Sequence, residues 1–265
     1  MKLLFLGDIV GKSGRLAVLN HLSELKTKYR PDCIIANAEN AAHGFGVTKP
    51  MAAELLDAGI NVITSGNHIW DKPEVLAYIS QEKRLLRPHN YPPHLPGSGV
   101  YDFETVRGKK IVVINIMGRL FMETLDDPFA CIDALLRPYT LGHNVSAIFV
   151  DFHGETTSEK QAMCHYTDGR VSAVIGTHTH VPTADERIFP KGTAFQSDAG
   201  MCGDYFNSII GMQVGGSLGR FLKRIPYERM TPSEGEGTVC GTLITLHSNG
   251  LAQSIERIQV GKSIN

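Results

Sequence analysis

Long apolar runs are missing from this chain of 265 residues. Its runs stop after a few residues, against the roughly 20 that a membrane-spanning helix needs, so no membrane partner is expected. Met1-Lys2-Leu3-Leu4-Phe5-Leu6 looks briefly like a leader. Gly7-Asp8 ends it too early for an apolar region of about 7–15 residues, and a core strand is expected instead. An excess of either charge is missing too. Lys+Arg number 26 and Asp+Glu 27, a net charge of -1, so global charge recruits neither nucleic acid nor an anionic membrane. Cysteine is scarce and unpatterned. The five, at 33, 131, 164, 202 and 240, are odd in number and form no Cys-x-x-Cys pair. That excludes a disulfide framework and a thiolate zinc site, and it fits a reducing cytoplasm. Small core residues are the expectation for each.

What is present is the make-up of an ordered globular protein: 42% hydrophobic and 20% charged residues, which excludes disorder. The first half alternates strand and helix. Leu3–Gly7 is an apolar run ending in a turn, and Leu16, Leu19, Leu22 and Leu25 then recur at helical spacing through Lys28. Cys33–Ala36 and Ile60–Thr64 read as strands, with a helix over Met51–Leu56 between them. Such alternation predicts βαβ units and an α/β fold. From Arg87 to Gly97 the chain is a Pro-rich loop. Val100–Val106 and Ile111–Ile116 flank Arg107-Gly108-Lys109-Lys110 as a hairpin. Phe129–Leu136 and Ser158–Tyr166 read as helices, Ser146–Phe152 and Val171–Ile175 as strands. Thr238–His247 and Leu251–Val260 alternate around Ser248-Asn249-Gly250, a second hairpin. Parallel strands early, antiparallel strands late and one domain over residues 1–265 are the expectation. Residues 204–232 are poorly patterned, and their Gly215-Gly216 suits either a mobile segment or an interface.

Polar residues gather just beyond the ends of the apolar runs, the edge where open α/β sheets bind ligands. Asp8 follows Leu3–Leu6; Glu39 and Asn40 follow Cys33–Ala36; Asn67 and His68 follow Ile60–Thr64; Asp151 and His153 close Ile148–Val150; His178 and His180 follow Val171–Ile175. Each has a bland reading alone: a helix cap for Asp8, loop polarity for Glu39-Asn40, a turn for Asn67-His68, a hydrogen-bonded core ring for His153. His178-Thr179-His180 is more telling, because alternate residues of an extended segment point the same way. Together, five strand ends of one sheet deliver carboxylate, carboxamide and imidazole groups to one edge. That donor mix suits Mn, Fe or Zn better than Ca or Mg. It is enough for two ions sharing a bridging carboxylate, which at about 3.5–4 Å clamp the attacking and leaving oxygens of a phosphoryl displacement. His43 and His89 are candidates for the rim.

A rival motif overlaps the first strand. Gly7-Asp8-Ile9-Val10-Gly11-Lys12-Ser13 resembles a P-loop, but its gap holds three residues where G-x-x-x-x-G-K-[ST] needs four, and Asp8 would repel phosphate. Gly11 and Gly14 instead suit a turn passing close beside Asp8, with Lys12 steering substrate.

Gly7-Asp8, Glu39-Asn40, Gly66-Asn67-His68, His153 and Gly176-Thr177-His178-Thr179-His180 resemble, in order, the motifs of calcineurin-like metallophosphoesterases. The stretches Ala38–Ala42, Arg87–Pro92, Asp151–Lys160, Thr177–Asp185 and Asp198–Gly203 are similar to those of one bacterial branch, the YmdB-like phosphodiesterases. The resemblance implies a four-layer α/β/β/α sandwich of two mixed sheets. It implies Asp8, Asn40 and His180 on one metal ion, Asn67, His153 and His178 on a second, and Glu39 bridging them. The wider superfamily has Asp-x-His where Asp8-Ile9-Val10 stands and a bridging Asp where Glu39 stands, so Asn40 replaces an imidazole. Fe and Mn are the metals expected.

The implied activity is hydrolysis of 2′,3′-cyclic nucleotides, 2′,3′-cAMP or 2′,3′-cGMP, to the 3′-nucleotide. A hydroxide bridging the ions attacks and His68 gives a proton to the leaving oxygen, a task that suits imidazole as a class. Two alternatives stand beside it: a phosphomonoesterase or protein phosphatase with the same metals, and a regulatory protein that binds a nucleotide or an RNA end. Trp70 and Tyr91 are candidates to stack on a base, unless the core takes them. A homo-oligomer is expected only because symmetric ones are common.

Overall fold

The structure, a computed structural model, describes residues 1–223 and 230–264. Its elements follow in chain order. The N-terminal apolar run forms β1 (Lys2–Leu6), and a two-residue strand β2 (Asp8–Ile9) leads into helix α1 (Gly11–Tyr29). Strand β3 (Cys33–Asn37), helix α2 (Lys49–Asp57), strand β4 (Val62–Thr64) and a short helix α3 (Val75–Ile79) come next. The loop with the prolines carries no element and ends at the hairpin β5 (Val100–Glu104) and β6 (Lys110–Met117). Helix α4 (Pro128–Leu136), strand β7 (Ala147–His153), helix α5 (Thr157–Thr167) and strand β8 (Ala173–Thr177) complete the regular part. Then come the short strands β9 (Arg187–Ile188), β10 (Ala194–Gln196), β11 (Met201–Gly203), β12 (Ser208–Ile209) and β13 (Met212–Gln213), helix α6 (Val214–Lys223), and the long hairpin β14 (Thr238–Leu246) and β15 (Ala252–Val260).

Two mixed sheets result, of seven and six strands among the described residues. In the first, β1, β3 and β4 run parallel, as βαβ crossovers through α1 and α2 require. The C-terminal hairpin crosses back to it, and β14 lies antiparallel to β1 with Leu4 opposite Leu243. In the second, β6, β7, β8 and β10 are parallel, with β5 and β9 antiparallel at its edges. The early-parallel, late-antiparallel division is therefore corrected: each sheet is mixed, and the last hairpin completes the first sheet. A hairpin is legible locally, but its pairing across most of the chain leaves no local trace.

Strand periodicity explains the layering. Leu3 and Phe5 face the second sheet, packing with Ile35, Val113 and Phe149, while Leu4 and Leu6 face the helices with Val18, Leu22 and Leu55. On the far side Val112, Ile114, Ile148 and Val150 meet Ile132 of α4 and Met163 of α5. Three apolar layers thus separate helices, sheet, sheet and helices, the four-layer sandwich that the resemblance implied. Burying each such side chain is worth roughly 1.5–3 kcal/mol. Asp127 caps α4 by accepting from the Phe129 amide, with Pro128 in the first turn, and Thr156 caps α5 by accepting from Glu159.

Helix α1 starts earlier than its leucines suggest, because its first turn holds no periodic apolar residue. Gly14 lets that turn lie against β11: a Cβ there would stand 2.1 Å from the Cys202 carbonyl oxygen. Residues 204–223 and 230–232 hold β12, β13 and α6, and residues 224–229 of the segment read as mobile or interfacial lie outside the described residues. All five cysteines are free, four of them buried. Among the described residues no helix is long and apolar enough to cross a membrane.

Candidate metal centre

The eight site residues expected from the sequence come together in space. Asp8 lies on β2, Glu39 and Asn40 follow β3, and Asn67 and His68 follow β4; His153 ends β7, and His178 and His180 follow β8. Both sheets contribute, three strand ends from the first and two from the second. The expectation of one sheet's edge is corrected: the centre sits where the carboxyl ends of two packed sheets converge. Two groups of potential ligands each gather within 4.8 Å, Asp8 with Glu39 and His180, and Glu39 with His153 and His178. Glu39 belongs to both.

Hydrogen bonding fixes which ring nitrogens face inward. Thr177 donates its hydroxyl to Asp151 at 2.7 Å, so toward His153, 2.9 Å away, it accepts from Nδ1–H and leaves Nε2 bare. His180 donates Nδ1–H to the Ile210 carbonyl at 2.8 Å, which also frees its Nε2. His178 is turned the other way: Nε2 faces Glu155 at 3.1 Å, and Nδ1 points inward. Metal-binding histidines are oriented in this manner, by giving the far N–H to a carbonyl or carboxylate. Around His153 Nε2 stand Asn67 Oδ1 at 3.0 Å, His178 Nδ1 at 3.1 Å and Glu39 Oε2 at 3.4 Å. Asp8 Oδ1 and Asn40 Oδ1 are buried with no hydrogen-bond partner among the described residues. An orphaned buried acceptor costs about 1–3 kcal/mol, and bare imidazoles and orphaned oxygens converging on one place fit divalent cations.

The electrostatics agree. Burial, with Asp198 nearby, raises the Asp8 carboxyl to about 8. Burial and the Asp8 charge push Glu39 well above the usual carboxylate range. Burial lowers His178 to about 4 and lowers His153 well below the ordinary imidazole value, each helped by neighbouring imidazoles. Without cations the pocket therefore prefers protonated acids and neutral rings, and a bound cation reverses the preference for the acids.

A second set of side chains holds the first. Asp151 accepts from Asn37, Thr64 and Thr177 behind the centre. Asp198 accepts from the Thr179 amide and hydroxyl and from buried Lys160. His178 and His180 have φ of 100° and 66°, left-handed values that cost about 1–3 kcal/mol each. The Asp198 contacts on Thr179 between them hold that turn. Gly66 has no room for a side chain, since a Cβ would stand 2.2 Å from His153 Nε2. His68 gives its amide to Glu39 at 3.2 Å, and its Nδ1 lies 2.8 Å from Asp71.

A model of the family described as YmdB-like protein matches residues 4–258. The chain belongs to the YmdB-like family. A Bacillus subtilis protein named 2′,3′-cyclic-nucleotide 2′-phosphodiesterase is 46% identical over 261 residues, 98% of this chain and 97% of that one. The crystal structure of a novel phosphatase of Mycoplasma pneumoniae superposes with a TM-score of 0.91 at 37% identity, covering 98% of this chain and 93% of that one. A 5′-nucleotidase precursor of Thermus thermophilus shares the fold alone, with a TM-score of 0.55 at 14% identity over 98% of this chain and 54% of that one.

In this YmdB-like chain the centre opens into a cavity of about 240 Å³. Glu39, Asn40, His68, Glu155, His178, Thr179 and His180 supply its polar lining, and Phe45, Ile210, Met212 and Met230 its apolar lining. Several sequence expectations fail here. Trp70 and Tyr91 pack edge to face with each other against the core, and the Tyr91 hydroxyl donates to Glu123, so neither lines the cavity. Lys12 lines a different cavity with Asn20 and Glu234, and His89 another with Asp126. His43 is exposed at φ 57° and does not line the cavity. The P-loop is excluded by its own amides: Asp8, Val10 and Gly11 donate to the carbonyls of Gly200, Cys202 and Asn40, leaving no cradle for phosphate. Sequence reasoning missed Asn37, Thr64, Asp198 and Lys160 as supports, and Phe45 as a wall. A polar residue ending an apolar run was the available signal for Asn37 and Thr64; Phe45 gave none.

Proposed function

We propose that this protein is a dinuclear-metal phosphodiesterase that opens 2′,3′-cyclic nucleotides such as 2′,3′-cAMP and 2′,3′-cGMP to the 3′-nucleotide. The observation that carries the reading is the pair of ligand groups sharing Glu39, with the inward nitrogens of three histidines already bare. The name of the B. subtilis relative supports the substrate.

Asp8, Asn40 and His180 would hold one ion, Asn67, His153 and His178 the other, and Glu39 both, with Fe or Mn suited to this donor set. Bound there, two ions supply Lewis-acid charge for phosphoryl oxygens and a water acidified toward neutrality. The chain does the rest. Asn40 is held by its Nδ2, which donates to the Gly44 carbonyl at 3.1 Å, so Oδ1 stays aimed inward. Asp71 faces His68 Nδ1, so Nε2 is the nitrogen left to face the substrate, and it is as an imidazolium, protonated on both nitrogens, that His68 gives the Nε2 proton to the departing O2′. With that proton on O2′, water adds to phosphorus as hydroxide and gives its own proton to solvent, the P–O2′ bond breaks, and the phosphate remains on O3′. A nucleophilic side chain is not needed.

The test is a substrate panel on Mn-reconstituted protein: 2′,3′-cAMP, 3′,5′-cAMP and 3′-AMP, with products separated chromatographically. Accumulation of 3′-AMP from the 2′,3′ isomer is expected. Release of inorganic phosphate from 3′-AMP at a comparable rate would favour the phosphomonoesterase reading instead.

A further inference from the structure

The lining of the site cavity is of two chemical kinds, and the ligand chemistry accounts for only one. The polar groups suit a phosphate. Phe45, Ile210, Met212 and Met230 add an apolar lining beside them, and nothing in phosphoryl transfer calls for it.

Its construction is specific. Phe45 sits in a loop held by short-range backbone bonds: Ala42 donates to Gly46 at 2.8 Å, Phe45 to Ala42 at 3.2 Å and Gly44 to Asn40 at 3.1 Å. Three residues of that loop have left-handed φ, His43 at 57°, Gly44 at 83° and Gly46 at 79°. At Gly44 a Cβ would stand 2.6 Å from Met212 Cε, so the loop lies directly on Met212. The Phe45 ring meets His68 edge to face, with centroids 5.0 Å apart. The same loop is tied to the centre through Asn40, which gives its side-chain amide to Gly44. One short segment thus carries a candidate metal ligand and an aromatic wall.

We infer that Phe45, with Met212 and Met230, forms the nucleobase subsite, and that it accepts any of the four bases. This rests on the phosphodiesterase reading above. An aromatic ring is the usual platform for a base, because every base offers a π face. Methionine is flexible and polarizable, and it makes favourable sulfur contacts with aromatic rings of differing shape. Among the described residues, the apolar lining offers no side-chain N–H or O–H group to read a base edge, and a site without such groups lacks the means for strong discrimination.

The experiment compares kcat/KM of the metal-loaded protein for the 2′,3′-cyclic phosphates of A, G, C and U and for glycerol 1,2-cyclic phosphate, which has no base. Calorimetric binding of 3′-AMP is measured alongside. Wild type should treat the four nucleotides within about tenfold of one another and prefer them to the base-free diester. In Phe45→Ala that preference should fall at least about tenfold, with 3′-AMP binding weakened by a similar factor. Phe45→Tyr keeps the ring and should retain both. Discrimination among the bases beyond tenfold, or a preference in Phe45→Ala equal to wild type, overturns the subsite. Wild type that opens none of the five cyclic diesters overturns the phosphodiesterase reading, and the subsite with it.

Discussion

Lys160 Nζ lies 3.0 Å from an Asp198 carboxylate oxygen, and both side chains are buried. The same carboxylate holds Thr179 by its amide and hydroxyl, between the two left-handed histidines 178 and 180. Removing the ammonium leaves a buried charge unpaired, at a cost of about 3–5 kcal/mol. Lys160→Met should therefore lower unfolding stability by that order in urea melts. Metal titration should also show binding weakened at least tenfold, because the histidine turn loses its anchor. A variant that loses stability but binds metal as wild type does would confine the pair to a structural role.

Gly66 sets how closely the two halves of the centre approach. A Cβ there would fall 2.2 Å from His153 Nε2 and 2.3 Å from Glu39 Oε2. Gly66→Ala should bind fewer than two ions per chain, while its far-UV circular dichroism stays that of wild type. Two ions retained would mean that these atoms are not ligands.

Acidity of the metal-free centre predicts an unusual pH dependence. Asp8 is raised to about 8 and Asp151 to about 7, both chiefly by burial, and Glu39 well above its ordinary value. In the unfolded chain these carboxyls ionise near pH 4. From about pH 6.5 to 8 the folded protein thus holds more protons than the unfolded one, and its stability falls as pH rises. The lowered histidines act only below that window, because their unfolded pKa is near 6.5. Calorimetric Tm of the metal-free protein should drop across this range. Saturating Mn should remove the drop, since cations favour the ionised acids. A metal-free Tm that is flat or rises would contradict the electrostatic account.

The eight residues could be singled out because each is a polar group set where an apolar strand stops; that they gather from the edges of two packed sheets and not of one could not be read there. What the pattern did not reveal is pairing at long range. Lys160 and Asp198 find each other across three intervening strands, and β14 returns to β1 from the far end of the chain; neither leaves a period in the sequence. Trp70 and Tyr91 were plausible base partners because they sit beside the histidine motifs, yet large rings next to a strand end are as readily drawn into the core. Phe45 is the converse. A lone aromatic among glycines carries no amphipathic signal, and only the left-handed turns around it place it at the site.

The most direct measurement is a paired one: bound metal per chain and turnover of 2′,3′-cAMP, in wild type and in His68→Ala. The account predicts two ions in both proteins, with turnover in the variant reduced by about 10²–10⁴. Unchanged turnover with both ions in place would contradict the assignment of His68 as proton donor, and a single ion in active wild type would contradict the dinuclear centre itself.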